Sequence, residues 1–484
     1  MYENIKEFQK HFLDIITKCS SDYKFKQHSN CNKERHIDKL YGNDDLNKDI
    51  SKAITCKDYI FFLLYKAYTN SSDSSVNNTM ISRKITNVTA DAYKKQRKRK
   101  SYILLKDIFD SLNVFYSKYC KKNGSFCEYD ISEDLNDVFI DSHNVTAVDG
   151  SKYSLLKDIL KNTKINSNDI KSYQGGKCVN LTLSTFFCLS KKSPTNVFVV
   201  TDNNEIGAFL KQLDKVNTYN VFLFDRNYFC QNTLTQIINH NCDAVFRLSA
   251  NCNFVREFAK SKCDDKIIYL KKSKRVKFDT VDATKVRLIK YTIKNETYVL
   301  CTTLLDKNIY SYDMIKYLYN RRWDGEEFYK ILNSNLLLKI SNAKTLETFQ
   351  QSVYAKAIVV ILSRIFNLFA LKCPTKLKEN EHINFSDCTQ MTMENILYLL
   401  LYKDDSHNNI SEIYRIIQSI RKSTVICLPD RHYLRVAIRT MFKWYYTAHT
   451  RGTHKGKDVR RGTKSKKKDV RRGTKSKKKV KNKD

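Results

Sequence analysis

Three acidic residues occupy positions from which carboxylates can do chemistry. Asp149 directly follows the apolar run Val145–Val148, and Asp225 directly follows Val221–Phe224 in the same way. Each aspartate therefore ends a predicted strand, where an α/β sheet holds side chains rigidly at a surface opening. Aspartate is also common where strands turn, so neither position is diagnostic alone. The third acid, Glu326, lies further along the chain in a stretch with helical spacing.

Several polar side chains near Glu326 share one predicted helix face. At about 100° per residue, a stripe about 80° wide collects five of them. They are Tyr319, Arg322, Glu326, Lys330 and Asn333. Trp323 borders the stripe, whereas Asp324 and Glu327 point elsewhere. Glu326 is therefore the acid that shares a face with Arg322, which favours a functional site over a merely solvated helix surface.

Three segments together resemble the motifs of the DDE transposases of the insertion-sequence-four family. Tyr319–Glu326 resembles the family signature Y-x2-R-x3-E, and Asp149–Ser151 resembles the context of the first catalytic aspartate. Asp225–Tyr228 resembles the DRGY element, with Asn227 in place of the glycine. Any one of these matches is weak, but their order and spacing together are specific.

The resemblance covers about residues 144–338 and implies an α/β, ribonuclease-H-like fold. The family fold has a mixed sheet with helices and a β-rich insertion between the second Asp and the Glu. Glu205 and Arg247 also fall where the family tends to carry Glu and Arg. The family signature continues to a Lys, which is Asn333 here, and Lys330 is expected to replace part of the lost charge.

The resemblance implies a DNA transposase that cleaves strands and transfers them in cut-and-paste transposition. Two divalent ions about 3.5–4 Å apart activate a nucleophile and stabilise the leaving oxygen in such reactions. Hard ions prefer oxygen ligands, so we expect two Mg²⁺ or Mn²⁺ ions. Asp149 is expected to bridge them, while Asp225 and Glu326 each hold one.

Further residues are expected to contact DNA. Arg322 would orient a phosphate bidentately, and Tyr319 would donate a further hydrogen bond. Trp323 would stack on an unpaired base during strand opening, or else belong to the core. A basic run before the predicted helix Ile103–Tyr116 suits phosphate contacts, with a solvated face as the alternative. Its expected DNA-binding residues are Lys94, Lys95, Arg97 and Arg99.

The charge balance supports a nucleic-acid partner. The chain of 484 residues carries a net charge of +35. Residues 451–484 contain 17 basic and 3 acidic residues, so the other 450 residues still carry +21. A protein that is this basic outside its tail usually binds a polyanion. The expected partners are double-stranded DNA, as transposon ends and target, and a second copy of the chain in a homodimeric synaptic complex.

The tail is an internal repeat, since Asp458–Lys468 recurs residue for residue as Asp469–Lys479. With almost no apolar residues, it is expected to be a disordered electrostatic arm, a nuclear-import signal, or both. The protein is expected in the cell interior, at the nucleoid or in the nucleus. No membrane partner is expected, because the most apolar run, Ala357–Leu371, is interrupted by Arg364 and reads as a buried helix.

The distribution of β-type runs and helical spacing along the chain predicts four regions. Short β-type runs begin near Asn144, a β-rich stretch covers 266–305, and helical spacing dominates from Tyr312. The stretch Asn70–Asn78, rich in Ser and Asn, is predicted to be a linker or a mobile loop. The predicted regions are a helical and possibly DNA-binding region 1–140, a catalytic domain 141–345, a helical region 346–448 and a disordered basic tail 449–484.

Two alternatives share this sequence evidence. A ribonuclease-H-like nuclease without strand transfer would use the same metal site. A catalytically inactive, transposase-derived DNA-binding protein is favoured by Asn333 and Asn227, whereas retention of all three acids favours the enzyme.

Overall fold

The computed structural model describes most of the chain up to residue 426. The described residues are 1–28, 54–125, 139–140, 144–156, 170–173, 176–201, 204–216, 219–271, 283–293, 296–340, 343, 345–374, 377–378 and 380–426. The predicted tail 449–484 lies outside them, so its expected disorder stays a prediction.

A single large mixed sheet organises the middle of the chain. Its strands are β1 Val145–Leu156, β2 Ile170–Tyr173, β3 Gly176–Cys188, β4 Ser193–Val200, β5 Val221–Phe224, β6 Asp243–Arg247, β7 Asp265–Lys271, β8 Ala283–Ile293 and β9 Glu296–Thr302. β3 pairs antiparallel with β1, and β2 and β4 both pair with β3. β5 runs parallel to β1, and β6 runs parallel to β5. The order β4-β3-β1-β5-β6 is the expected ribonuclease-H-like arrangement, which is confirmed.

The two faces of the sheet are both apolar and both covered. Because side chains alternate along a strand, Phe222 and Phe224 of β5 join one core cluster, whereas Leu223 joins the other. Phe224 stacks on Phe246 of β6, with ring centroids 4.6 Å apart. The first face carries α6 Glu205–Leu213, α7 Gln231–Asn239 and α8 Asn253–Lys260. Burial on both faces explains why β5 is an unbroken apolar run.

The β-rich stretch extends the sheet beyond β6. β9 pairs antiparallel with β6, β8 pairs with β9, and β7 forms the next strand outward. Arg287 of β8 is fully buried and donates through Nε and Nη2 to Asp265, at 2.9 and 2.7 Å. This ion pair satisfies the buried guanidinium and joins two neighbouring strands. The expected insertion between the second Asp and the Glu is therefore present.

Helices from both ends of the chain form a layer on the second face. The N-terminal helices are α1 Tyr2–His28, α2 Cys56–Thr69, α3 Asp73–Ser82, α4 Ala90–Arg99 and α5 Ile103–Asn123. After the sheet come α9 Tyr312–Arg321, α10 Trp323–Lys330, α11 Leu346–Leu371, α12 Phe385–Met391, α13 Leu397–Tyr402 and α14 His407–Lys422. A separate two-stranded antiparallel sheet pairs β10 Glu381–Ile383 with β11 Thr424–Ile426.

The long helix α11 is the centre of this helical layer. It packs against α2, α5 and α14 and also against β4 of the sheet. By length and composition α11 is apolar enough to cross a membrane, but 94% of its most apolar window is buried inside the protein. It therefore serves as the expected core helix, and helices from both ends of the chain share one core through it.

The prediction of a linker at Asn70–Asn78 is wrong. Residues 73–82 form α3, which begins where the Ser72 side chain accepts a hydrogen bond from the Ser75 amide. Val76 and Met80, four residues apart on one face, are both buried. Tertiary packing of this apolar pair outweighs the weak helix propensity of Ser and Asn.

Candidate active site

The strand register places two of the predicted acids side by side. Val148 of β1 is opposite Phe224 of β5 in a parallel pair, and Phe224 is opposite Phe246 of β6. Asp149, Asp225 and Arg247 come next in these three strands and therefore lie side by side where the parallel pairing ends. Asp225 directly follows β5, as expected, but the prediction that Asp149 ends its strand is wrong, because β1 continues to Leu156 along its antiparallel partner β3. Parallel strands hold such side chains at one opening.

The helix that carries Glu326 lies very close to β1. A Cβ added at Gly325 would lie 3.2 Å from the Cβ of Ala147, which is tighter than most carbon contacts. Only glycine allows α10 to approach this near without a shift. Glu326 follows directly, and its charge is felt by the carboxyl of Asp149. The structure thus brings the third predicted acid to the first.

Two polar side chains, Tyr329 in α10 and Asn333 shortly after it, fix this segment against the sheet. The Tyr329 hydroxyl lies 2.9 Å from the Asp149 carbonyl oxygen and 3.0 Å from the Leu183 carbonyl, and Thr185 donates to it at 2.8 Å. Further on, the Tyr153 hydroxyl donates to Asn333 Oδ1 at 3.0 Å. Asn333, which stands where the family carries a Lys, therefore holds the helix end to β1. Tyr329 was not identified from the sequence, because an aromatic residue on an apolar helix face is ordinarily core.

Burial dominates the electrostatics of Asp149. The pKa of this carboxyl is raised from 3.8 to about 6, chiefly by burial and to a smaller extent by Glu326 and Glu205. The Gly150 amide, which donates to Asp149 Oδ1 at 2.9 Å, and the Arg322 guanidinium act in the opposite direction. The net result is that Asp149 keeps its proton to a higher pH than an exposed aspartate does.

Arg322 is the cation at the centre of the cluster. It is only 6% exposed, and its Nη2 donates to Glu326 Oε1 at 3.0 Å. Tyr319, 3% exposed, presents its ring 5.9 Å from the guanidinium carbon, and the Trp323 ring lies 5.2 Å from it. Trp323 itself is 58% exposed. The structure thus places the predicted Tyr and Trp beside Arg322, which itself pairs with Glu326, and leaves the indole facing solvent.

Glu205 is a fourth acid at the site. A Cβ at Gly150 would lie 2.8 Å from the Glu205 Cδ, so the absent side chain leaves room for this carboxylate beside β1. Burial raises the pKa of Glu205, and Asp225 raises it further, whereas Lys152 lowers it. The sequence placed Glu205 in a family context without assigning it a role. Its position at the start of α6, shortly after a strand, was the available signal.

The predicted polar stripe is not one regular helix. The Arg322 amide bonds the Tyr319 carbonyl, and the Gly325 amide bonds the Arg322 carbonyl, both at 3.1 Å. These i→i+3 bonds tighten the turn between α9 and α10 and shift the angular phase. Lys330 pairs with Glu327 at the surface, away from Arg322. The structure therefore places Lys330 at the surface beside Glu327, and its predicted contribution to the site stays a prediction.

The basic run forms its own helix instead of leading directly into the next one. α4 packs on α3 and α11, and α5 begins separately at Ile103. Lys95 pairs with Asp91 at 3.0 Å and stays exposed. Arg97 is bound to Asp73 at 3.1 Å and is mostly buried. Lys94 and Arg99 remain exposed on this helix, so the DNA contact predicted for the run stays a prediction.

Asn227 occupies the place of the family glycine without strain. It lies in the single helical turn Arg226–Tyr228, and its φ is not positive. Only a positive φ would favour glycine at this position. The substitution is therefore compatible with the local fold.

The donor chemistry of this edge fits a divalent ion. Carboxylates are the oxygen ligands that hard ions prefer, and Asp149 has Glu326 and Glu205 as acidic neighbours at this edge. Glu326, however, is turned to Arg322, and the described residues contain no group of three His, Cys, Asp or Glu side chains arranged closely enough to hold a metal. Metal binding therefore requires Glu326 to share or leave its arginine partner.

A ribonuclease-H-like sheet with acids at its carboxyl edge defines a class of phosphoryl-transfer domains. Residues 133–362 match the family described as the transposase DDE domain. Residues 133–362 therefore carry a transposase DDE domain, and the expectation of a DDE transposase is confirmed at that level. The match includes all three predicted acids and the β-rich insertion.

No curated protein sequence matches the chain. A solved structure described as the piggyBac transposase synaptic complex with hairpin DNA is 10% identical in sequence, with a TM-score of 0.40. The similarity covers 88% of this chain and 89% of that one. A likeness at this level carries no inference about function.

Proposed function

We propose that this protein is a DNA transposase in which Asp149, Asp225 and Glu326 hold two divalent ions and transfer DNA phosphoryl groups. The observation that carries the proposal is the juxtaposition of these acids inside the matched domain. Asp149 and Asp225 both follow the last paired residues of the parallel strands β1 and β5, and Glu326 is on a helix pressed against β1. Sheet and helix thus supply rigid supports for all three carboxylates.

The chain's own residues have distinct tasks in this proposal. Mg²⁺ or Mn²⁺, when bound, would lower the pKa of a coordinated nucleophile and neutralise the departing oxygen. Asp149 and Asp225 supply carboxylate oxygens from the sheet, and Glu326 supplies one from α10. Arg322 is expected to exchange part of its contact with Glu326 for a DNA phosphate, because guanidinium groups bind both anions through the same paired donors.

The proposed substrates are transposon ends and target DNA, joined by strand transfer in a cut-and-paste reaction. The net charge of +35 supports a polyanionic partner. Exposed Trp323 beside Arg322 offers a surface on which an unpaired base could stack. Lys94, Lys95 and Arg99 are proposed as peripheral phosphate contacts, and two copies of the chain as the assembly that pairs the ends.

The test is a cleavage and joining reaction with the terminal repeats that flank the gene, a target plasmid and Mg²⁺ or Mn²⁺. Asp149→Asn, Asp225→Asn and Glu326→Gln should each abolish cutting while DNA binding persists, because each removes a ligand charge at constant size. Glu327→Gln is the matched control: it removes an adjacent acid that faces Lys330 at the surface. That variant should cut at the wild-type rate.

The products separate the three candidate functions. Joined products require strand transfer and support the transposase. Cutting without joining by the wild type would identify a nuclease. DNA binding without any cutting in either metal would identify an inactive descendant, which the Asn333–Tyr153 contact in place of a lysine favours. Wild-type cutting by any one of the three acid variants would remove that residue from the mechanism.

A further inference from the structure

A second concave site lies at the opposite end of the sheet from the acids. Its volume is about 510 Å³, and it lies between α5 and the first residues of β1 and β5. Asn144, just before β1, and Asn220, just before β5, line it. Each stands five residues before a predicted catalytic aspartate, which is roughly 16 Å along an extended strand. The cavity is therefore separate from the candidate active site.

The lining of this cavity is strongly cationic. Four lysines contribute to it, and Asp110 is its acidic residue. The lysines are Lys118, Lys121, Lys191 and Lys215. Asp110 is already engaged by Lys106 on its own helix. No carboxylate of the described residues forms an ion pair with any of the four lysines, so the cavity presents uncompensated positive charge.

Lys191 is the most informative of these lysines. It is 9% exposed, and its Nζ donates to the Ser117 hydroxyl at 2.7 Å. The Lys191 carbonyl accepts from Tyr116 at 3.1 Å, which holds this segment on α5. A buried ammonium with a neutral partner and no counter-charge is costly to maintain. An anion in the cavity would supply the missing charge and further acceptors.

Asn113 adds a second unsatisfied group to the same lining. It is 8% exposed, and neither its side-chain nitrogen nor its side-chain oxygen has a hydrogen-bond partner among the described residues. Buried amides are ordinarily paired. An amide offers both donors and an acceptor, as a ligand with a polar body beside its anionic group would require.

We propose that this cavity binds a phosphomonoester of nucleotide size, with its phosphate on Lys191 and its polar body beside Asn113. The volume lies within the range of small-ligand sites, about 300–1,000 Å³. A concave site with a buried cation suits a compact ligand, because small-molecule sites are clefts that bury most of the ligand surface. Lysine holds phosphate as a point charge and does not require a fixed fork.

The experiment is calorimetric titration of the full-length protein with adenosine monophosphate and with inorganic phosphate, at ionic strength matched by chloride. Wild-type protein should bind the nucleotide saturably, with one molecule per chain. Lys191→Gln should weaken binding at least about tenfold, because it removes a hydrogen bond to a charged group. Lys121→Gln, at an exposed lysine of the lining, should weaken it less. Lys122→Gln removes the same charge from the same helix outside the cavity and should change nothing.

Two measurements keep the result interpretable. Circular dichroism and thermal unfolding check that Lys191→Gln is folded; if it is not, Lys121→Gln against Lys122→Gln decides. The wild-type melting temperature should also rise with nucleotide concentration. None of these readouts depends on transposition, so failure here leaves the proposed function standing.

Three outcomes would overturn the proposal. The first is the lack of saturable nucleotide binding by the wild type. The second is equal binding by the lining variants and Lys122→Gln. The third is a loss confined to binding of a short DNA duplex in the lining variants, which would make the cavity a DNA contact.

Discussion

Replacing Asp149 with Asn should stabilise the fold while abolishing catalysis. Burial raises the pKa of this carboxyl from 3.8 to about 6 in the folded protein. The shift is about two pH units, and each unit corresponds to about 1.4 kcal/mol. Ionised Asp149 therefore costs the metal-free fold about 3 kcal/mol, which is an upper bound because the replacing amide must also be buried.

The pH dependence of this effect has a definite sign. Because the folded pKa is above the unfolded one, the folded state binds the proton more tightly, and stability falls as pH rises from 3.8 to about 6. Below pH 3.8 the carboxyl is protonated in both states and the cost vanishes. Above about pH 6 the cost is complete. The advantage of Asp149→Asn should therefore be absent near pH 3.8 and full at pH 7.5.

Denaturant unfolding in the presence of a chelator measures this difference. Wild type and Asp149→Asn should be compared across the pH window, beside Asp404→Asn, which changes an exposed aspartate. The control should match the wild type at every pH. A variant no more stable than wild type at pH 7.5, or an advantage that is constant across the window, would refute the reasoning about Asp149.

Three further predictions concern the supports of the site and the tail. Gly325→Ala should slow DNA cleavage strongly, because the added methyl pushes α10 away from Ala147. Thermal stability should change little, because alanine favours the helix, and unchanged cleavage kinetics would contradict this prediction. Tyr329→Phe should lower the free energy of unfolding by about 1–3 kcal/mol, because buried hydrogen bonds are lost. It should also raise the Mn²⁺ concentration needed for half-maximal cleavage, and a variant that loses stability without this change would show that Tyr329 does not position the site. Deleting residues 451–484 should flatten the slope of the logarithm of the DNA-binding constant against the logarithm of salt concentration, by about 0.9 for each lost phosphate contact. The preference for terminal repeats over other DNA should stay the same. An unchanged slope would mean that the tail does not touch DNA.

The sequence predicted the parts of the site that follow from local pattern. Asp149 and Asp225 were identified because each ends an apolar run, and the parallel pairing of β1 with β5 then brings them together. Glu326 was identified from helical spacing shared with Arg322, and the structure pairs these two side chains directly. The strands β5 and β6 could be predicted because burial on both sheet faces makes each of them a continuous apolar run.

What the sequence did not predict depends on tertiary contacts. The closeness of Gly325 to Ala147 and the anchoring of Tyr329 on two strands arise only when α10 meets the sheet. The helix α3 was missed because its support is the burial of Val76 and Met80, which outweighs a composition typical of loops. The cationic cavity likewise assembles from segments that are distant in sequence.

The most direct test of the central claim is an anomalous-scattering map of the protein bound to a transposon end with Mn²⁺. We predict two Mn²⁺ peaks about 3.5–4 Å apart, ligated by Asp149, Asp225 and Glu326, with Arg322 shifted toward a DNA phosphate. Mn²⁺ bound elsewhere, or peaks at this edge without Glu326 as a ligand, would contradict the assignment of the three acids.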